Sequence, residues 1–333
     1  MNKSLGVVLI FCLNNDIHAE SVAEKCREFG AEVILISVDD YFSGMKMSLD
    51  VNRSAFQIEN KNKQLKYHFS DIISIYIRDS DIPEIQEELH IHDKLVYQEK
   101  KCALSGFLKC FENKFHVNKP WNEDKFDNKI LQGVEAKICG LKTPDTIVTS
   151  DPKEFLKFYK KCNENVVIKQ LSEVCMIETL NSKINMGIDE EKAYGFYTSK
   201  VTSEKLDNIE EIRNAPCLFQ EFIPKIADIR VTVIGNQVYS AQIDSQKFEE
   251  SKVDFRKKVD LPIKKYLLPE KVKKDLIKLL RKWNINFAAC DFALSENNDL
   301  VFLEANVSGN WLWIEDTLKF PISKELAKLI LNI

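Results

Sequence analysis

The sequence predicts an α/β protein of more than one domain, on three observations. Residues 5–38 alternate as strand, helix and strand, the pattern of a small doubly wound unit. A Lys119-Pro120 break then interrupts the helical pattern and places a boundary near residue 118. Towards the C-terminus, residues 287–294 (FAACDFAL) and Leu300–Asn306 (LVFLEAN) read as two apolar strands around a polar turn. Hydrophobic residues make up 44% of the 333 positions, against only 10 Gly and 9 Pro. That composition supports two or three domains with real cores and argues against disorder.

Residues 5–11 form the first strand. The run stops at Asn14-Asn15-Asp16 without a small-residue cleavage site, so it is a buried strand rather than a signal peptide. No stretch is long enough to span a membrane. Residues 17–29 have helical spacing between an Asn/Asp cluster and Gly30, and residues 31–38 supply the second strand. Ile72–Ile77 is a further strand ending at Arg78-Asp79. Open α/β sheets place ligand groups at such strand ends, so Arg78 either faces a site or is an exposed strand-end arginine. Residues 83–115 are charged and helical.

Beyond the break, residues 124–139 form an amphipathic helix closed by Gly140, and Thr146–Thr149 is a short strand. Asp151-Pro152-Lys153-Glu154 is a helix start with a cap, Pro at N1 and Glu at N3. Residues 166–171 (VVIKQL) form a strand, and residues 172–200 have strand character around an acidic turn at Asp189-Glu190-Glu191. Strands follow at 218–223, 229–234 and 237–245, the last two joined by Gly235-Asn236. A basic segment (247–265), a charged helix (269–283), the apolar hairpin and a helix from Ser323 complete the order.

With 47 basic and 51 acidic residues and a net charge of −4, the chain has no general affinity for nucleic acid. Nine scattered cysteines without a C-x-x-C pair fit reduced thiols in a cytoplasmic protein. There is no P-loop, no G-x-G-x-x-G fingerprint and no protein-kinase set. All five histidines lie within the first 116 residues; His90-x-His92 has metal-binding spacing but reads as a surface helix pair.

The C-terminal hairpin carries the most chemistry. If Asn297-Asn298 forms a two-residue turn, position i pairs with 595 − i and Asp291 lies opposite Glu304. Asn306 shares the face of Glu304, because side chains alternate along a strand. Two carboxylates and an amide oxygen suit Mg²⁺ or Mn²⁺ holding phosphates, and burying the two charges together without a cation is costly.

Upstream residues fit that chemistry. Lys169 follows Val166, Val167 and Ile168, and a lysine in a mostly buried strand needs an anionic partner. Lys129 alone reads as a surface group, and together with Lys169 as a second phosphate contact. Gln220-Glu221-Phe222-Ile223 is either an ordinary strand end or a hinge whose backbone meets an adenine edge while Glu221 reaches ribose. Arg230 heads the run Arg-Val-Thr-Val-Ile-Gly235 and suits a phosphoryl oxygen or a carboxylate, or a surface ion pair. Arg256, in Asp254-Phe255-Arg256, is a second anion clamp or part of a solvated loop.

Taken in order, Lys129, Lys169, the 220–223 hinge, Arg230, Asp291 and Glu304-x-Asn306 resemble the ATP-grasp superfamily. Over nearly the whole chain the closer resemblance is to ATP-grasp ligases that macrocyclise ribosomally made peptides, the microviridin-type graspetide maturases. It is carried by Ile75-Tyr76-Ile77-Arg78, Leu141-x-x-Pro144-x-Thr146-x-x-Thr149-x-Asp151-Pro152, Phe219-Gln220-Glu221 and Arg230-Val231-Thr232-Val233-x-Gly235. Ile243-x-Ser245-Gln246, Asp254-Phe255-Arg256 and Phe302-Leu303-Glu304-x-Asn306-x-x-Gly309-x-Trp311-x-Trp313 complete it. Phe255 stands where such enzymes often carry Trp, Val307 where Pro is common, and the loop after Lys169 lacks the glycines many ATP-grasp enzymes use over phosphates.

The resemblance implies a three-part fold of α/β and α+β domains. A Rossmann-like pre-ATP-grasp domain covers 1–118, a central domain with a leader-docking hairpin 119–216, and a C-terminal domain with the metal site 217–333. It implies ATP between the last two, two Mg²⁺ ions on Asp291, Glu304 and Asn306, and adenine on Gln220, Glu221, Phe222 and Ile223. Lys129 and Lys169 clamp the α/β phosphates, Arg230 steadies the transferring phosphoryl group, and Arg78 and Arg256 hold the substrate carboxylate. The implied substrate is a precursor peptide with a leader and an acidic core, whose Glu or Asp side chain becomes an acylphosphate. A Ser/Thr hydroxyl or Lys amine of that peptide then closes an ester or amide. Family members are often homodimers. Two other activities stay open: adding an amino acid to a protein or peptide terminus, and non-catalytic nucleotide-dependent regulation.

Overall fold

The computed structural model describes residues 5–60, 63–78, 90–121, 128–171, 176–180, 190–194, 198–258 and 260–333. At the front, β1 (Val7–Cys12), α1 (Ile17–Glu28), β2 (Glu32–Ser37), α2 (Val38–Ser43), β3 (Met47–Asp50), β4 (Ala55–Asn60), β5 (Lys63–His68), β6 (Ile72–Ile77), α3 (Ile91–Lys109) and β7 (Phe115–Val117) follow one another. A parallel sheet runs in the order β2-β1-β6-β7, with β3, β4 and β5 forming a separate antiparallel sheet. Strand β1 is buried throughout because both its faces are covered. Val7, Leu9 and Phe11 pack with Phe56 and Phe107, whereas Val8, Ile10 and Cys12 join a core with Ala19 and Val22 of α1. The helix predicted over 83–115 is the shorter α3, capped by His90, whose Nδ1 accepts from the His92 N–H at 3.2 Å. The His90-x-His92 pair is thus a helix cap; residues 79–89 lie outside the described residues.

The middle of the chain holds α4 (Lys129–Cys139), β8 (Thr146–Thr149), α5 (Pro152–Lys161), β9 (Val166–Lys169), β10 (Met176–Leu180), β11 (Glu190–Tyr194), β12 (Ser199–Lys200), α6 (Ser203–Asp207) and β13 (Cys217–Glu221). An antiparallel sheet of order β12-β9-β13-β8 carries α5 on one face, where Phe155 packs on Phe219 with centroids 4.3 Å apart. Asp151 caps α5 by accepting from the Lys153 N–H, with Pro152 at N1, as its sequence dictates. Two expectations change. Helix α4 begins at Lys129, because the Asn128 side chain accepts from the Leu131 N–H and fixes the start there; residues 122–127 lie outside the described residues. Glu190 and Glu191 belong to β11, paired with β10, rather than to a turn, and Asp189 lies outside the described residues.

The remaining elements are β14 (Lys225–Ile234), β15 (Gln237–Ile243), β16 (Ile263–Lys265), α7 (Glu270–Lys282), β17 (Phe287–Ser295), β18 (Leu300–Asn306), α8 (Leu312–Leu318) and α9 (Ile322–Leu331). They build an antiparallel sheet of order β16-β15-β14-β17-β18. Helices α4 and α7 cover one face through Ala136, Cys139, Leu276, Leu279 and Leu280. Helix α9 lies against α1, so Trp311, Leu326 and Ile330 share a core with Val8 and Ile10 of the front sheet and Val22 of α1. Residue 118, at the expected boundary, is a buried tie between the two. Its side-chain oxygen accepts from the N–H groups of Asn286 and Phe287 (2.8 and 3.0 Å), and its amide donates to the carbonyls of Phe287 and Val307 (2.9 and 3.3 Å). The eight described cysteines are all unbonded. Among the described residues, no helix is long and apolar enough to cross a membrane.

Candidate active site

Alternation along β14 sends Ile229, Val231 and Val233 into the helix-covered core and leaves Asp228, Arg230 and Thr232 on the opposite face. Across that face Arg230 pairs with Asp291 of β17, and Asp291 pairs with Glu304 of β18. The row joins three strands. Asp291 stands opposite Glu304 as expected, by a different route from the expected two-residue turn. Glu296, Asn297 and Asn298 all lie in the loop, Asn298 with φ 61°, and Leu294 pairs with Leu300. That register would misplace the carboxylates by one residue. A β-bulge between the Phe292–Phe302 and Asp291–Glu304 pairs inserts Leu303 and restores it.

The charges are matched closely. Arg230 Nη1 donates to both oxygens of Asp291, at 3.0 and 2.9 Å. Burial raises the pKa of Asp291, and the Arg230 guanidinium opposes that rise. Burial also works against ionised Glu304, but Lys169, Arg256, Lys129 and Arg230 together hold its pKa below the usual value. Lys169 is half-buried, and the loss of solvation pulls its pKa down, while Glu304 acts to raise it. Lys129 donates to the Gln170 carbonyl at 3.1 Å, just after Lys169. Arg256 grips Asp254 with Nε and Nη2 (2.9 and 2.8 Å) and reaches Glu304 with Nη1 at 3.3 Å. Hydrogen bonding to Asp254 holds the Arg256 pKa above its usual value.

Two joined hollows, about 580 and 1370 Å³, separate the central sheet from the C-terminal sheet and share Lys169, Gln220, Leu303 and Glu304. Phe222 and Ile223 line the first, and Lys129 lines the second. Within the hinge, Glu221 N–H donates to the Asp145 carbonyl and Phe222 N–H to the Asn165 carbonyl. The Glu221 carboxylate accepts from the Asp145 N–H at 3.3 Å, and Lys200 Nζ lies 3.8 Å from the Phe222 ring centre. Two charged lining residues escaped the sequence reading, Lys225 and Asp228, and Asp254 was read only as part of the Asp254-Phe255-Arg256 motif, without a role of its own. Lys225 and Asp228 form a buried 2.6 Å ion pair, and Asp254 accepts from the Thr198 N–H as well as from Arg256. The only available signal for Asp228 was its place two residues before Arg230 on an alternating strand.

Arg78 is buried at the end of β6, with its guanidinium on the Ser308 carbonyl and the Asn310 side chain. It therefore contacts the turn that follows the carboxylate strand. Asn306 is bent back, its Oδ1 accepting from the Ser308 N–H at 2.9 Å. Asp291, Glu304 and Asn306 are all oxygen donors on adjacent strands, and Lys129, Lys169, Arg230 and Arg256 surround them. That donor set fits a hard divalent cation, and the cations around it fit phosphates.

A cleft between two antiparallel sheets, with lysines on one wall and carboxylates on the other, defines an ATP-grasp enzyme. A family model for the RimK-like ATP-grasp domain matches residues 128–330, and one for the MvdD pre-ATP-grasp domain matches residues 7–124. The chain belongs to the RimK-like ATP-grasp family. Among solved structures it is similar to a Chryseobacterium gregarium RiPP-associated ATP-grasp ligase in complex with ADP and a leader and core peptide. Identity is 26%, coverage 98% of this chain and 97% of that one, and the TM-score 0.83. It is also similar to the macrocyclase MdnB from Microcystis aeruginosa MRC (25% identity, 98% and 99% coverage, TM-score 0.77). The macrocyclase MdnC of the same organism, bound with precursor peptide MdnA, shares the fold at 23% identity, with 98% and 100% coverage and a TM-score of 0.82. No curated protein sequence matches the chain.

Proposed function

We propose that the chain is an ATP-dependent ligase that closes side-chain ester or amide rings in a ribosomally made precursor peptide with a leader and an acidic core. The observation that carries this reading is the Arg230–Asp291–Glu304 row, facing Lys169 across the inter-sheet cleft. Its likeness to a ligase solved with ADP and a leader and core peptide supplies the substrate class. ATP lies with its adenine against the hinge formed by Gln220, Glu221, Phe222 and Ile223. Asp228 joins Glu221 as a carboxylate within reach of ribose. Lys129 and Lys169 hold the α/β phosphates, and Asp291, Glu304 and Asn306 hold two Mg²⁺ ions. When bound, those ions neutralise charge on the β and γ oxygens.

A peptide carboxylate attacks the γ-phosphorus, the bond to the bridging oxygen breaks, and ADP leaves. Arg230 and Arg256 steady the charge on the transferring group and on the incoming carboxylate. A hydroxyl or amine of the same peptide then attacks the acyl carbon, losing its proton and displacing phosphate. The net change in the peptide is the loss of one water per ring. The domains run 1–118, 119–216 and 217–333, with β10–β11 in the part that docks the leader. The unbonded thiols support a cytoplasmic setting, and the resemblance alone supports a homodimer.

The test is to incubate the protein with ATP, Mg²⁺ and the small acidic peptide encoded beside its gene, then weigh the peptide. Loss of one water per crosslink is expected; an unchanged mass alongside intact nucleotide binding would refute the reading. Glu304→Gln keeps side-chain volume but removes a charge from the cation set. It is expected to lower turnover by about 100-fold or more with little change in melting temperature. A fully active variant would sink the metal assignment.

A further inference from the structure

In open parallel sheets, ligands bind where the strand order reverses. Here that point lies between β1 and β6, since β1 is flanked by β2 on one side and β6 on the other. Arg78 stands at this point, directly after β6, with its backbone N–H on the Phe11 carbonyl at 2.8 Å. Arg78 is met there by the chain's own 308–310 turn. Arg78 donates to the Ser308 carbonyl and to Asn310 Oδ1, and its Nε lies 3.5 Å from Asp16 Oδ2. The other oxygen of Asp16 is committed to α1, accepting from the N–H groups of His18 and Ala19 at 2.8 and 2.9 Å. The Arg78 guanidinium carbon also lies 5.3 Å from the ring centre of Trp311, which is fully buried.

The line continues into the cleft. Arg230 Nη2 donates to the Asn310 carbonyl at 3.4 Å, while its Nη1 holds Asp291. The same turn folds Asn306 back through the Ser308 N–H. We propose that Asp16, Arg78 and Asn310 are positioning residues, a relay by which the front sheet fixes Arg230 and the Asn306 turn for the ligase reaction. The inference rests on the ligase reading above and replaces the expected role of Arg78 as a grip on the substrate carboxylate. With its fork occupied on two sides and the guanidinium stacked on Trp311, Arg78 has no arm directed into either hollow that Glu304 lines.

Three substitutions test it. Asp16→Asn keeps a good helix cap and removes the charge. Arg78→Lys keeps the charge and removes the planar fork. Asn310→Ala truncates an exposed side chain and stands in if Arg78→Lys does not fold. Each is measured by Mn²⁺ titration in the presence of ADP, followed by electron paramagnetic resonance, and by crosslinking kinetics on the peptide the wild type converts. The relay predicts Mn²⁺ affinity and kcat lower by about 10–100-fold, with peptide KM within about twofold of wild type. Wild-type Mn²⁺ affinity and kcat with a raised peptide KM would overturn it, as would an Asn310→Ala enzyme unchanged in both readouts. If the wild type itself neither binds Mn²⁺ with ADP nor changes the peptide's mass, the ligase reading fails instead.

Discussion

Arg230 meets Asp291 across strands, and the room for that meeting depends on Gly309. A Cβ on Gly309 would lie 2.6 Å from the Ala289 Cβ and 2.7 Å from Arg230 Nη2. Ala289 belongs to the rigid strand β17, so Arg230 or the turn would have to give way. Gly309→Ala is therefore expected to cost about 1–3 kcal/mol of stability, read from urea midpoints, and to lower kcat/KM by about tenfold or more. Ala289→Gly in the same chain removes one of the two clashes and should recover part of both losses. A Gly309→Ala enzyme with unchanged midpoint and kinetics would show that the packing there is loose.

At the scale of elements, α1 carries a buried histidine against Trp311, with ring centroids 4.4 Å apart. Burial first, and the Arg78 charge second, lower the His18 pKa from 6.5 to about 4. Between those values the unfolded chain takes up a proton that the folded chain refuses. The contribution is thus complete above about pH 6.5 and lost as pH falls through about 4, amounting to roughly 3 kcal/mol. Urea midpoints measured across that range should fall with acid in the wild type and fall less in His18→Gln; parallel curves would count against the assignment. The elements themselves were largely legible. Caps at Asp151, the turn at Gly235 and the alternation of β14 are local signals, and each sits where the sequence puts it. The bulge at Leu303 left no trace, since an inserted residue in an apolar strand looks like any other. The role of Asp254 was hidden: it stands among short 3-10 turns without periodicity, and one partner, Thr198, lies 56 residues upstream. Sequence indicated that Arg78 ends a strand, but the Ser308 carbonyl and the Asn310 side chain that take its guanidinium lie more than two hundred residues away, where no spacing rule reaches.

For the whole molecule, the cleft separates two sheets that approach each other through shared charges, so nucleotide and metal should bind the folded chain alone. Mg²⁺ and ADP at about 100 times their dissociation constant are expected to add roughly 2.7 kcal/mol. The shift would appear as a raised urea midpoint, reversed by EDTA and much reduced in Glu304→Gln. An EDTA-insensitive shift would separate nucleotide binding from the carboxylates. The core common to α1 and α9 has a consequence of another kind, for the order in which the protein is made. Ala19, Val22 and Ala23 emerge from the ribosome early, yet Leu326, Ala327 and Ile330, which pack beside them, follow only after about three hundred further residues. The nascent front sheet must wait with an apolar face uncovered, in the exposed condition that makes growing chains prone to aggregate and dependent on chaperones.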